Sequence, residues 1–287
     1  MTKKRKAAKA SRKKTSRTRL SAALSAKQTP KQRVAMLAQA PLAVCESHTN
    51  MQAVLGVLRN TAEPTEVRLA AMDTMATAAF SVVAFEPCRN DYIAALREMS
   101  QDPSPEIRES ALGLLAGEKD GFAQKKLLEG LKSPEKALVR PEKALQLLGY
   151  DVHAESYAVA RDIVENPPSD TARREALRLL SADARSAPLF EKLLRDKNEK
   201  REIRQISASA LQALNPTKLQ DHARALLLDD SDYDDIRATS LEAIEQFGDP
   251  AHVAKDSDLL QSVERLSTTA PPKYKKGAKH FLSKYTR

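Results

Sequence analysis

Arginine recurs through this sequence at a nearly regular spacing, each time directly after a small or branched apolar residue. A guanidinium group carries five N–H donors in a planar fork that fits a carboxylate or a phosphate, so the series could bind anions. Successive members lie 40, 32, 33, 31 and 33 residues apart, and an Ala/Leu-rich stretch follows most of them. The pairs are Val67-Arg68, Ile107-Arg108, Val139-Arg140, Ala172-Arg173, Ile203-Arg204 and Ile236-Arg237.

These arginines admit two interpretations, a row of ligand-binding groups or a set of packing groups. A buried or half-buried arginine usually faces a carboxylate or a carbonyl of its own protein. We therefore predict that the six arginines orient the turns of a repeated structure and pack neighbouring repeats together.

A second set of cations fills the N-terminus, where ten Lys or Arg and no acid occur among the first nineteen residues. Like charges repel and no residue larger than Met is available to pack, so we predict a disordered arm. Such an arm could neutralise phosphates of a nucleic acid, but without base stacking, because no aromatic residue precedes Phe80. Its cations are Lys3, Lys4, Arg5, Lys6, Lys9, Arg12, Lys13, Lys14, Arg17 and Arg19.

Several other roles of the arm stay open. Lys3-Lys4-Arg5-Lys6 with Arg12-Lys13-Lys14 resembles a nuclear-import signal if the source is eukaryotic. An acid-free N-terminus can be an organelle transit peptide, although this one is dominated by lysine. The arm could also attach to anionic lipid or to an acidic protein surface, including that of its own chain, or act as a solubilising tail.

The groups that metal binding or catalysis needs do not occur at the required spacings. No histidine has a His or Cys partner at metal-ligand spacing, and neither Cys45 nor Cys88 is paired with a histidine in the sequence. The acidic stretch 229–235 lacks the central Gly and terminal Glu of a calcium loop and suits a helix N-terminus. We predict no catalytic, cofactor-binding or metal-binding residue. The histidines are His48, His153, His222, His252 and His280.

Composition favours closely packed helices. Of the 287 residues 41% are hydrophobic, only 4% are aromatic and none is Trp. Ala, Leu, Lys, Arg and Glu are strong helix formers, whereas strands favour β-branched and aromatic residues. Two cysteines form no disulfide framework, which predicts an intracellular, reducing location, cytoplasmic or, in a eukaryote, nuclear. No run approaches the ~18 apolar residues of a membrane span, and no apolar segment follows the basic N-terminus as in a secretory signal.

The net charge of +9 conceals a strong segregation along the chain. Residues 1–45 contain 13 bases and no acid, and residues 265–287 contain 7 bases and no acid. The middle of the chain holds 27 bases and all 38 acids. An acidic body between two basic ends is a property that bears on partners and solubility, not on the fold.

Helical periodicity and turn signals divide the chain into three parts. We predict a disordered arm and linker over 1–30, a helical solenoid over 31–266 and a basic C-terminal segment over 267–287. Pro141 directly follows Arg140, so one helix either begins late or is kinked there. The helical pairs are predicted at about 49–60 with 64–82, 89–100 with 104–116, 120–131 with 134–149, 152–165 with 169–182, 185–196 with 199–214 and 217–229 with 232–247.

One repeat carries a resemblance over its whole length. Asp102-Pro103-Ser104-Pro105-Glu106-Ile107-Arg108-Glu109-Ser110-Ala111-Leu112-Gly113-Leu114-Leu115 resembles the HEAT repeat, in the short form of HEAT-like proteins related to phycobilisome lyases. Partial matches follow Ala172 and Ile236, and the resemblance covers about residues 50–250. It implies an all-α fold, an α-α superhelix of about six helical pairs.

The resemblance also implies a ladder between the turn Asp and the second-helix Arg of neighbouring repeats. Asp102 and Arg108 have the six-residue separation of that pattern. Asn198 with Arg204 and Ser231 with Arg237 keep the spacing without the acid, so we expect a partial ladder.

These observations predict a non-catalytic scaffold or adaptor that binds a protein partner on a concave face, with the basic arm for electrostatic attachment. The alternative is a nucleic-acid-associated protein whose main contact is the arm. A repeat-fold enzyme of the DNA glycosylase or lyase type is a third hypothesis. It is disfavoured because alkylpurine glycosylases line their site with Trp, and no lyase residue can be transferred.

Overall fold

A computed structural model describes residues 20–25 and 27–286, and the arm predicted over residues 1–19 lies outside them. Eighteen α-helices and three short 3-10 turns account for the regular structure of the described residues, which contain no strand. The all-α prediction is therefore confirmed for this part of the chain. Two compact units divide it, Met1–Val152 and His153–Arg287.

Unit 1 contains nine of the helices. A helical turn at 20–23, in which Leu20 and Ala23 are buried, precedes the first of them. Most helices of this unit have about three and a half turns or fewer. A 3-10 turn, Glu86–Cys88, precedes α6, and another, Pro134–Lys136, precedes α9. The helices are α1 Pro30–Leu37, α2 Pro41–Val44, α3 His48–Arg59, α4 Thr65–Ala79, α5 Val82–Phe85, α6 Arg89–Met99, α7 Pro105–Gly117, α8 Gly121–Lys132 and α9 Pro141–Leu148.

Unit 2 contains the other nine helices. A 3-10 turn, Ala184–Ser186, precedes α12. The helices are α10 Ala154–Glu165, α11 Asp170–Leu180, α12 Ala187–Arg195, α13 Arg201–Leu214, α14 Pro216–Leu228, α15 Asp234–Phe247, α16 Pro250–Val253, α17 Ser257–Thr269 and α18 Pro272–Tyr285.

Consecutive helices pack against each other in pairs. In unit 1 the pairs are α3 with α4, α6 with α7, and α8 with α9; in unit 2 they are α10 with α11, α12 with α13, α14 with α15, and α17 with α18. We call the later member of each pair its second helix. Second helices also contact one another, α4 with α7 and α7 with α9 in unit 1, and α11, α13, α15 and α18 in succession in unit 2.

Local capping explains where many helices begin. Ser104 accepts a hydrogen bond from the Ile107 amide, and Pro105 occupies the first position of α7, where a missing N–H costs nothing. Pro141 likewise begins α9, so that helix starts late and is not kinked. Thr29 and Gln32 form a reciprocal capping box at the start of α1.

Small and branched side chains fill both cores. Ala71, Met75 and Leu112 of second helices in unit 1 are fully buried. In unit 2 the largest buried side chains are Phe190 and Phe281. Close approach of helices follows from this Ala/Leu composition, because a small residue opposite a large one fills the space between two helices.

The long first interval of the arginine series has a structural cause. Between α4 and α6 the chain inserts α5 and the 3-10 turn Glu86–Cys88, which lengthens the connection from α4 to the next pair. Phe85 of this insertion is buried and contacts the ring of Tyr92 edge-on at a centroid distance of 5.4 Å. The insertion is thus attached to the core of unit 1.

Candidate binding surface of the second helices

Arginines near the start of five helices bind the end of the helical segment before them. In each case Nε donates to the carbonyl of a residue nine or ten positions earlier. In four of the five cases this acceptor is the penultimate residue of the preceding helix, where carbonyls have no partner within the helix. The bonds join Arg33 to Ala23 (2.8 Å), Arg68 to Leu58 (2.8 Å), Arg173 to Val164 (3.3 Å), Arg204 to Leu194 (2.9 Å) and Arg237 to Leu227 (3.1 Å).

The remaining guanidinium donors of four of these arginines reach an acid near the next helix start or turn. Arg204 contributes two bonds to Asp232, of 2.7 and 2.6 Å, and Arg173 contributes two to Glu199, of 2.8 and 2.7 Å. We call each arginine with its carbonyl and its carboxylate an arginine clamp. The four clamps pair Arg33 with Glu63 and Arg68 with Asp102 in unit 1, and Arg173 with Glu199 and Arg204 with Asp232 in unit 2.

In three of the four clamps the carboxyl has a lowered pKa. Arg68 and Asp102 are 3% and 4% exposed. Burial alone would raise the pKa of Asp102, but hydrogen bonds from Arg68 and the Ser104 amide outweigh it and hold the pKa below its ordinary value. Hydrogen bonds from Arg33 and Arg173 likewise lower the pKa of Glu63 and Glu199.

Three of the predicted packing arginines lie outside this clamp geometry. Arg237 is buried, but it reaches Asp230 at 2.7 Å and the Ser262 hydroxyl at 3.0 Å in place of a later carboxylate. Arg108 donates to three carbonyls, those of Asp102, Pro103 and Leu138.

Arg140 stands apart from the rest of the series. Pro141 holds it in an extended conformation before α9, so its side chain projects from the helix end and is 79% exposed. The nearest carboxylate is that of Glu142, at 3.5 Å. The structure therefore does not bring Arg140 together with the other arginines of the series.

Sequence reasoning paired the Asp102 carboxylate with a different arginine from the one that binds it. The six-residue separation pairs Asp102 with Arg108, yet the Asp102 carboxylate binds Arg68, 34 positions earlier. Arg33 was missed because Gln32, not a branched apolar residue, precedes it. The partners lie 26 to 34 positions after their arginines, so a search for Asp or Glu over that interval would have included them without singling them out.

The acidic stretch 229–235 is used for ion pairs. Asp229 pairs with Lys197, which together with Ser231 lowers the pKa of Asp229 to about 2. Asp230 receives Arg237 and Arg265, and Asp235 lies 3.2 Å from Arg201. The stretch thus neutralises cations from several helices of unit 2.

One cysteine lies beside a histidine, a contact that the sequence did not reveal. Cys88 Sγ is 3.8 Å from His48 Nδ1, and His48 Nε2 is 3.8 Å from the carboxylate of Asp91. Burial and then the charge of Asp91 raise the pKa of the Cys88 thiol, so the nucleophilic thiolate is disfavoured. Among the described residues, no group of three or more His, Cys, Asp or Glu is arranged to hold a metal ion.

A groove of about 410 Å³ lies on the outward side of second helices α11 and α13. Ile206 and Ala210 provide apolar surface in it. Arg178 and Glu202 provide charge, and Ser209 and Ala213 are exposed along α13. The groove therefore combines a small apolar strip with polar groups that could orient a bound segment.

A second groove of about 310 Å³ lies between α15 and α18. Glu242 and Glu245 line it from α15, and Lys273, Lys276 and His280 line it from α18. His280 Nδ1 is 2.7 Å from the Glu245 carboxylate, so one of these acids is already engaged. The second helices of unit 2 thus present grooves of different charge.

Exposed apolar side chains are concentrated in unit 1. Phe80 is 87% exposed and Val83 is 90% exposed, close to the insertion after α4. Leu42 and Val82 are also exposed.

Comparison with models of known protein families and with curated protein sequences finds no match for this chain. Within the described residues, no single helix has the length and apolar character needed to cross a membrane. One pair of helical segments, Thr65–Ala79 and Val82–Met99, satisfies the length and composition test only when taken together across a bend of 119°.

The Arg68–Asp102 clamp predicts a large stability effect. Replacing Asp102 by Asn leaves the buried Arg68 guanidinium without a compensating charge, which should cost about 3 kcal/mol of the free energy of unfolding. Glu98→Asn provides the control, because Glu98 forms an exposed pair with Arg59 and should matter by less than about 1 kcal/mol. Urea unfolding of the full chain measures both, and equal effects would contradict a structural role for the clamp.

Lowered carboxyl pKa values predict a loss of stability in acid. Glu63 and Glu199 have an ordinary pKa of 4.5 and Asp102 one of 3.8, and all three are lower in the folded protein. The unfolded chain therefore takes up protons first as the pH falls, so their stabilisation, complete well above pH 4.5, declines below it. In urea unfolding from pH 7 to pH 3, Glu63→Gln should be less stable at pH 7 and approach wild type in acid. Parallel curves would exclude this contribution.

Proposed function

We propose that this chain is a non-catalytic scaffold of the HEAT-like helical-repeat type that binds a protein partner on the concave face formed by the exposed side of its second helices. The proposal includes an α-α superhelix of about six helical pairs. It also includes the basic N-terminal arm, outside the described residues, as an electrostatic attachment. An intracellular, reducing location is part of the same proposal, and the free thiols of Cys45 and Cys88 are compatible with it.

The observation that carries the proposal is the recurrence of the arginine clamp. Three of the four clamps attach a second helix to the helix before it and to an acid in or near the turn that leads to the next second helix, and the fourth does the same for α1. Both units contain clamps. One clamp in each unit is almost fully buried, Arg68–Asp102 in unit 1 and Arg204–Asp232 in unit 2. Structural units that contact mainly their neighbours and repeat the same contact are typical of helical-repeat proteins.

Groove chemistry supports a protein partner. Neighbouring second helices expose one side because the other is occupied by the first helices and by the core. Along α11 and α13 that side offers the half-exposed Ile206 between the charged groups of Arg178 and Glu202. A small apolar contact surrounded by polar groups is the usual composition of a protein interface.

A side chain placed in the α11–α13 groove should block the partner. Ala213 lines this groove and is exposed, so Ala213→Arg fills it without removing a packing contact. Ala225 is an exposed alanine on α14, a first helix, and Ala225→Arg adds the same charge and volume elsewhere in unit 2. We expect that the recovery of at least one protein that co-purifies with wild type from the native cell falls about tenfold or more with Ala213→Arg and not with Ala225→Arg. A tenfold change is equivalent to about 1.4 kcal/mol of binding free energy.

Quantitative mass spectrometry of the purified complexes measures this difference. Circular dichroism and urea unfolding should show both variants folded, since each replaces an exposed alanine. The proposal fails if no protein distinguishes wild type from Ala213→Arg, or if the two arginine variants lose the same proteins to the same extent.

A further inference from the structure

Helix α18 carries the densest unbalanced charge among the described residues. It contains five lysines and no acid within the fourteen residues Pro272–Tyr285. Its apolar side chains Ala278, Phe281 and Tyr285 are buried against the body of unit 2, where α18 packs on α15 and α17. The helical periodicity therefore directs the lysines away from the core. They are Lys273, Lys275, Lys276, Lys279 and Lys284.

These lysines differ from most other cations of the described chain in having no carboxylate partner. The arginines of the clamps and many exposed cations lie within 4.0 Å of an acid, whereas no ion pair within the described residues includes a lysine of α18. Lys284 donates to the backbone carbonyl of Glu245 at 3.0 Å. Of the two acids that line the adjacent groove, Glu245 is bound by His280 and Glu242 forms no ion pair with α18.

We propose that the solvent-facing side of α18 binds the phosphate backbone of a nucleic acid. Phosphates release condensed counterions when cationic side chains neutralise them, and this release favours binding. Lysines without a carboxylate partner suit this role because they break no existing ion pair when they bind a phosphate. This surface is separate from the α11–α13 groove, and binding here does not depend on a protein partner there.

Helix geometry fits this ligand. Lys273, Lys276 and Lys279 follow one another at three-residue steps, which spreads them over about 9 Å along the helix axis at 1.5 Å per residue. Each strand of duplex DNA carries a phosphate about every 3.4 Å of its axis, so flexible lysine side chains can reach two or three phosphates at once. Gly277 lies between them with open space where a side chain would stand, which allows close approach.

The side-chain types suit a contact with a phosphate backbone that does not depend on sequence. The lysines of α18 act as point charges without a fixed geometry, so they can neutralise phosphates in any register. A membrane-surface helix needs an apolar face directed to the lipid, and Ala278, Phe281 and Tyr285 of α18 are already buried in the protein.

The proposal predicts a specific loss of affinity for a duplex. The variant Lys275→Gln/Lys276→Gln/Lys279→Gln removes three exposed or half-exposed charges without breaking an ion pair. Fluorescence anisotropy of the full chain with a labelled duplex of random sequence should show binding weakened about tenfold or more near 0.1 M salt. The slope of log affinity against log salt should be shallower by about 2 to 3.

Three controls decide the outcome. Lys125→Gln/Lys192→Gln/Lys255→Gln removes three exposed lysines from other helices and turns, with the same change in net charge, and should retain wild-type affinity. Lys275→Arg/Lys276→Arg/Lys279→Arg should retain binding because the charge is kept. Circular dichroism of each variant tests the fold.

The results that overturn the proposal are equally defined. Equal losses in the α18 variant and in the scattered-lysine control would assign any binding to net charge. Absence of duplex binding by wild type would also refute it. If the α18 variant binds the duplex normally but no longer binds phosphatidylserine vesicles or polyglutamate, the surface is assigned to lipid or to acidic protein instead.

Discussion

The arginine clamp is the interaction on which the arrangement of the helices depends, and its arginine is buried in every clamp except that of the half-buried Arg173. A helix end leaves carbonyls without partners and carries partial negative charge, which a guanidinium near it neutralises. Arg68 and Arg204 donate Nε to the penultimate carbonyl of the preceding helix and direct their other nitrogens to Asp102 and Asp232. One side chain thus links a first helix, a second helix and the following turn, and its burial makes that geometry costly to change.

This constraint separates packing from binding. Because the clamps hold second helices at a fixed position against first helices, residues on the other side of each second helix do not contribute to the core. In α13 the buried Arg204 and Ala208 alternate at helical spacing with the exposed Ser209 and Ala213. Substitutions on that exposed side can therefore alter what the helix binds without weakening its packing against the first helix.

The sequence predicted the helices better than the contacts between them. The helix expected at 104–116 occurs at Pro105–Gly117, because Ser104 and Pro105 act through local backbone chemistry at its start. Clamp partners depend on turns of unequal length. Glu199 lies 26 residues after Arg173 and Asp102 lies 34 after Arg68, so no fixed offset identifies them. A regular position in the series is also not sufficient. Arg140 has the regular spacing, but Pro141 places it before the start of α9 and outside the helix.

Charge type, more than net charge, distinguishes the body from its C-terminal helix. Arginine predominates where a carboxylate must be held in one orientation in the protein interior, as at Asp232, because the loss of hydration is offset by two directed hydrogen bonds. Lysine is more strongly hydrated, and burying it without a partner is unfavourable. On α18 the lysines remain in water while Phe281 and Tyr285 anchor the helix, so their charge is available to a ligand that approaches from solvent. This chain therefore largely separates, by residue type and by position, the cations that hold internal carboxylates from those that face solvent.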